Sequence, residues 1–191
     1  MKSNCMRVFR AYQKYNFAYL AFILIFLNNS FTQAKVDPPN YDFSLNSLTI
    51  FKPGNLKSNL LKDPKYKKGK LYEKNGEFEI YRFEIIQLRY KFPIFVQFYQ
   101  GKIIDYWAKL PSYFLHNIFL QSLQKRFGKH NSYFNKNSLS LYYWKNIKNI
   151  SIVYSGTCTI TCFPVFIYVR KTKQESIPGL KYLIDKFEKT F

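Results

Sequence analysis

Residues 93–108 read PIFVQFYQGKIIDYWA, two apolar runs on either side of Gln100-Gly101. Ile94, Val96 and Phe98 recur with the period of two that puts alternate side chains on one face of a strand. A two-residue connection containing glycine is how antiparallel strands close, because glycine enters the left-handed backbone region at little cost. Pro93 brings no amide donor and suits the first position of a strand. The stretch therefore predicts a β-hairpin, and the chain on both sides continues in the same manner. EFEIYRFEI at 77–85 is rich in aromatic and β-branched residues, as are LSLYYWK at 139–145, ISIVY at 150–154 and FPVFIYV at 163–169, and the NIKN turn joins the first two of these last three.

Helical patterns punctuate these runs. Pro111-Ser112 opens the clearest one: Ser112 is placed to cap free amides, Phe114, Leu115, Ile118, Phe119, Leu123 and Phe127 fall at helical spacing, and Gly128 ends it. SIPGLKYLIDKFEKTF at 176–191 sets Leu180, Leu183, Ile184, Phe187 and Phe191 on one face, with Ser176 as cap and Pro178 in the first turn. Upstream, LTIFKPGNLKSNLLKD at 48–63 reads as a short strand, a Pro-Gly turn at 53–54 and a short helix near 56–62. The order predicts an α+β fold, an antiparallel sheet packed by a long central helix and a C-terminal helix. It also fits two helix-plus-three-strand units side by side, although no residue-level repeat accompanies it.

The N-terminus carries Lys2, Arg7, Arg10 and Lys14 and no acid, then an apolar run from Phe17 to Leu27, then NNSFTQA. A basic region, a short apolar core and a Thr32-Gln33-Ala34 ending predict a secretory signal peptide over 1–34, cut after Ala34. The alternative is a transmembrane anchor, but an apolar helix of that length rises only about 17 Å against roughly 30 Å of hydrocarbon. Cys5 sits among the basic residues, not at the end of the apolar run, so no lipid attachment is expected. The expected product is exported, periplasmic or secreted, with no transmembrane anchor after cleavage. An extended lead-in at 35–45 and a single domain at 46–191 make up the remainder.

The chain has 30 Lys and Arg against 11 Asp and Glu, a formal charge of +19. Such an excess attracts acidic polymers and anionic lipid surfaces, and AT-rich coding explains it equally well, so basicity names no partner. The densest cluster is DPKYKKGK at 63–70, a solvated loop in which Lys65, Lys67, Lys68 and Lys70 are the candidate anion contacts. Nucleic acid is disfavoured as a partner, because the lysines are dispersed and most aromatics alternate as core residues do.

Catalytic machinery is hard to find. The acids are scattered, with Glu77, Glu79 and Glu84 the densest group, and neither His116 nor His130 has a carboxylate nearby in sequence to orient it. No phosphate-binding glycine loop or nucleotide fingerprint occurs, and no cofactor is expected. Cys158 and Cys162 lie far in sequence from both histidines, which argues against a zinc site.

Those two cysteines fall in YSGTCTITCFP at 154–164. Export favours pairing them. A continuous strand would hold them about 13 Å apart, beyond disulfide reach, so pairing requires the chain to turn between ISIVY and FPVFIYV, and Gly156 and Pro164 fit such a turn. The expected result is a Cys158–Cys162 disulfide clamping a contact loop that presents Tyr154, Thr157, Thr159, Ile160 and Thr161 to an unknown envelope protein. The leading functional expectation is thus an exported binding or assembly module. Two alternatives stand beside it: a cysteine nucleophile at Cys158 acting on cell-wall material, and a basic protein binding an anionic polymer or lipid surface. Ser155-Gly156-Thr157-Cys158 resembles the Ser-x-Gly-Cys stretch of the L,D-transpeptidases, whose histidine and arginine near the cysteine are replaced here by Thr159 and Ile160.

A second resemblance covers residues 46–108. Leu48-Thr-Ile50 before Gly54, the short helix after it and VQFYQGKIIDY at 96–106 resemble the small outer-membrane-assembly lipoproteins of the SmpA/OmlA type and the β-lactamase-inhibitor-like fold. This chain departs from them in having no lipid-attachment cysteine after the leader and a short segment after Gly54, and no functional residue carries over. The resemblance implies a binding or assembly role at the cell envelope.

Overall fold

The computed structural model describes residues 45–191 apart from 67, 88–89, 113–115, 137, 174–176 and 188–191. The signal peptide expected over 1–34 and residues 35–44 of the expected lead-in lie outside the described residues. Eight strands run in the order β1 (Lys70–Asn75), β2 (Phe78–Gln87), β3 (Tyr90–Tyr99), β4 (Lys102–Lys109), β5 (Ser132–Lys136), β6 (Leu139–Ile147), β7 (Ile150–Cys158) and β8 (Cys162–Lys171). They form one sheet with the spatial order β1-β2-β3-β4-β8-β7-β6-β5, and every neighbouring pair is antiparallel. A 3-10 helix (Leu45–Phe51) and three α-helices, α1 (Lys57–Lys62), α2 (His116–Phe127) and α3 (Leu183–Phe187), complete the described elements.

This arrangement corrects the α+β expectation. The helices are short and the sheet dominates: the long central helix and the two helix-plus-three-strand units give way to one continuous eight-stranded sheet. Two strands carry the difference. β1, KLYEKN, is exposed at every position and has no apolar alternation to reveal it, and Lys70, expected in a solvated loop, is its first residue. β5, SYFNK, is five residues long. Both lie at sheet edges, where a strand is held by one ladder and needs little burial. Leu48-Thr-Ile50, expected as a strand, belongs to the 3-10 helix; Leu48 and Phe51 stand three apart, the repeat of that helix, and both are buried. In the C-terminal segment the positive φ of 75° at Gly179 and the turn bond from Leu180 N–H to Ile177 O keep Pro178 out of a helix, which begins only at Leu183.

The hairpin at 93–108 is the middle of the sheet. Gln100 and Gly101 adopt φ of 49° and 73°, the paired left-handed conformations that match the strands' twist. Ile94, Val96 and Phe98 are all buried on one face, opposite Ala108, Tyr106 and Ile103. That first face is covered by Leu48, Phe51, Leu60 of α1 and Phe119 and Leu123 of α2, and Tyr154, Ile152, Ile167 and Val169 join the same core from the far half of the sheet. The second face carries a smaller core of Ile80, Trp107, Val153, Phe166 and Tyr168, closed by Leu183 of α3, with Phe187 stacked on Trp107 at 4.8 Å.

α2 ends as its sequence implies. Gly128 has φ of 78° and its N–H donates to Gln124 O at 2.8 Å. The freed Gly128 carbonyl accepts the indole Nε1–H of buried Trp144 at 2.8 Å, which ties the helix end to β6. A fully buried side chain leaves a cavity when truncated, so Leu123→Ala is expected to lower unfolding free energy by about 2–5 kcal/mol. Ile86→Thr, at a position 73% exposed on β2, is expected to change it by no more than about 0.5 kcal/mol. Urea denaturation of both variants checks the assignment of faces; equal losses would contradict it.

Candidate functional site

Two neighbourhoods hold chemistry, one on each face of the sheet. On the first face β7 and β8 meet at Cys158 and Cys162, which stand opposite each other in the ladder with Cα atoms 4.1 Å apart, at disulfide distance. The chain turns as the pairing required. Three residues form the tip, Thr159 N–H donates to Thr161 O at 3.1 Å, and Cys158 N–H donates to Ser138 O at 2.7 Å. Thr159, Ile160 and Thr161 are exposed and Thr157 is half-buried; Ile160 is 100% exposed. Tyr154 departs from the expected contact loop. Its alternation with Ile152 turns it into the core, where it is fully buried, so it supports the tip from within. While the sulfurs are joined in a disulfide, Cys158 is not a thiolate and cannot attack a substrate.

Beneath this tip sits His116, the first residue of α2, buried against Tyr154 and Tyr142. The Tyr154 hydroxyl lies 3.0 Å from Nδ1 and also donates to the carbonyl oxygen of His116 at 3.4 Å. The hydroxyl and Nδ1 share one hydrogen bond whose direction follows the ring tautomer. Burial lowers the His116 pKa and favours the neutral ring, while burial raises that of Tyr154. Gly156 makes the approach feasible: a Cβ there would stand 2.4 Å from Nδ1. Sequence distance argued against a metal site, yet one nitrogen of His116 and the two sulfurs all lie within 4.8 Å of one another. No spacing rule signals this, because α2 crosses the sheet to reach strands forty residues later; the alternation of Tyr154 and the glycine at 156 are the only local traces.

On the second face, Asp105 of β4 is completely buried. Its Oδ2 accepts the Tyr168 hydroxyl at 2.9 Å and the Leu183 N–H at 3.0 Å, which fastens the start of α3 to the sheet. Burial pushes its pKa up to about 7, against the lowering effect of those two donors and of Arg170. Opposite it in the ladder is Gln97, also buried, and neither Gln97 Oε1 nor Asp105 Oδ1 has a hydrogen-bond partner among the described residues. Gln97 lines a cavity of about 560 Å³ with Phe78 and Ile80 on the sheet side and Lys181, Asp185 and Lys186 from the C-terminal segment. Lys186 is paired with Glu73, which also lines the cavity. An aspartate inside the apolar run KIIDYWA is the sequence signal of this neighbourhood, and it went unused.

The lysine cluster is less organised. Lys65 and Lys68 are exposed in the turn after α1, Lys70 is exposed on β1, and Lys67 lies outside the described residues. A separate apolar recess of about 190 Å³ on the first face, floored by Leu48, Ile152 and Ile167, has Lys52, Arg126 and Lys148 in its lining. Among the described residues no helix is long and apolar enough to cross a membrane. No family model matches the chain, and none of the curated proteins or solved structures compared with it gives a significant match.

Asp105 yields a pH prediction. A carboxyl group whose folded-state pKa is raised binds more protons folded than unfolded, so stability falls as pH rises from about 4, the unfolded value, to about 7, and is flat above. Asp105→Asn keeps an acceptor for Tyr168 and Leu183 and cannot ionise. Its stability relative to wild type is expected to improve across that window, by an amount on the order of 3 kcal/mol. Urea titrations at pH 4.5 and pH 8 measure it, and a constant difference between the two proteins would refute the assignment.

Proposed function

We propose that this protein is an exported binding or assembly module that meets its partner through the tip of the β7–β8 hairpin. One observation carries the reading: Ile160 is 100% exposed at the centre of a three-residue loop whose two ends are cysteines at disulfide distance. A solvent-facing aliphatic side chain on a clamped turn suits an apolar pocket on another protein, and a clamp lowers the ordering cost of binding. The resemblance of residues 46–108 to envelope assembly lipoproteins and the leader at 1–34 agree with a partner at the cell envelope.

Export is tested first. The mass of the protein recovered from outside the cytoplasm is expected to begin at Lys35; a chain retaining Met1 would contradict it. The contact is tested by crosslinking from position 160 to capture the partner, followed by binding isotherms with the purified pair. Ile160→Asp is expected to weaken binding at least tenfold, about 1.4 kcal/mol, with an unchanged melting temperature. Unaltered affinity would refute the hairpin as the contact surface.

A second reading is favoured by Gln97. A buried amide oxygen without a partner, lining a cavity large enough for a small molecule, suits a ligand that brings N–H or O–H donors.

A further inference from the structure

His116, Cys158 and Cys162 come from three elements, α2, β7 and β8, that the fold brings together, and their donor atoms lie within 4.8 Å of one another. Zinc binds cysteine sulfur at about 2.3 Å and histidine nitrogen at about 2.0 Å, so two donors on one tetrahedral ion stand about 3.5 Å apart. The two sulfurs, bonded to each other when oxidised, therefore separate on reduction, and the histidine nitrogen needs to approach by roughly an ångström for the three to share an ion. The histidine is prepared for this role. Its Nδ1 lies 3.0 Å from the Tyr154 hydroxyl, the kind of outer partner that fixes ring orientation in metal-binding histidines, and a metal would take Nε2 while Nδ1–H donates to that hydroxyl. Gly156 leaves the space the ring occupies. Two soft thiolates and one imidazole select a thiophilic d10 cation over magnesium or calcium.

We propose that, when Cys158 and Cys162 are reduced, this protein binds zinc between their two thiolates and His116 Nε2, with the fourth position open. Reduction breaks the sulfur–sulfur bond. A dithiol gives up two electrons and two protons to make the two cysteine thiols and leaves as its own disulfide. Zinc then displaces both thiol protons, so the filled site of one dication and two thiolates is neutral. The hairpin tip is closed in either state, by a covalent bond when oxidised and by the metal when reduced. This inference does not depend on the partner proposed for Ile160.

The test uses the full domain reduced under anaerobic conditions by a water-soluble phosphine, which takes an oxygen from water to become its oxide and competes weakly for zinc. Calorimetric titration with zinc is expected to show one ion per chain and release of about two protons, and none in the oxidised protein. Cobalt added in its place is expected to give thiolate charge-transfer absorption. His116→Asn retains a side-chain donor for Tyr154 and lacks Nε2; it is expected to lose at least 100-fold in zinc affinity, whereas His130→Ala is expected to lose none. Should His116→Asn fail to fold, the cobalt spectrum of the wild type decides, since two sulfurs and one nitrogen differ from two sulfurs alone. Absence of zinc uptake by the reduced protein, an unchanged affinity in His116→Asn, or a spectrum without a nitrogen ligand would overturn the site.

Discussion

Five residue pairs between β4 and β8, from Asp105 opposite Arg170 to Lys109 opposite Phe166, join the two four-stranded meanders into one sheet. Everything else depends on their register. In this alignment Tyr106, Ala108, Ile167 and Val169 point to the first face and Trp107 and Tyr168 to the second, so each core draws on both meanders. A slip by one residue would exchange the faces and leave both cores half built. The buried Asp105 guards against that slip, because its two donors, Tyr168 and Leu183, are available only on the second face.

The two faces are treated differently. The first is broad and apolar, covered by the 3-10 helix, α1 and α2, and it carries the stability expected of an aromatic-rich core. The second has a smaller core, is covered among the described residues by α3 alone, and mixes Trp107 and Phe166 with Gln97, Asp105 and Ser155. Buried polar groups in such a setting cost stability unless fully paired. Gln97 at the cavity wall, together with a carboxyl group poised near neutral pH, distinguishes this face from simple packing.

Sequence reasoning reached the parts of the fold that announce themselves through periodicity. The hairpin at 93–108, strands β6 to β8, the NIKN turn and the end of α2 at Gly128 were all legible, because burial on one side imposes alternation and tight turns demand particular residues. It failed where burial is weak. KLYEKN at β1 offers no apolar alternation, so an edge strand drew no assignment beyond Lys70 in the preceding loop, and the helical spacing near 180–191 outweighed the break at Pro178-Gly179. The class expected was consequently too rich in helix. At the candidate site the two cysteines were legible as a pair that must sit on a turn, and the structure places them so. Tyr154 was assigned to the surface although it keeps step with Ile152, and His116 was discounted because closeness in sequence stood in for closeness in space.

The sheet is open at both ends. β1 exposes Leu71 and Tyr72, and β5 exposes Tyr133 and Phe134, each beside a row of backbone donors and acceptors with no strand beyond it among the described residues. Such edges invite copies of the same chain to add to one another. Opposing this is the chain's large positive charge, a long-range repulsion that weakens as salt shortens its reach to about 10 Å at 0.1 M and about 3 Å at 1 M. Its colloidal behaviour should therefore run opposite to that of proteins near neutrality: dispersed in dilute buffer, and drawn toward edge-to-edge assembly as ionic strength rises or as polyanions neutralise the lysines.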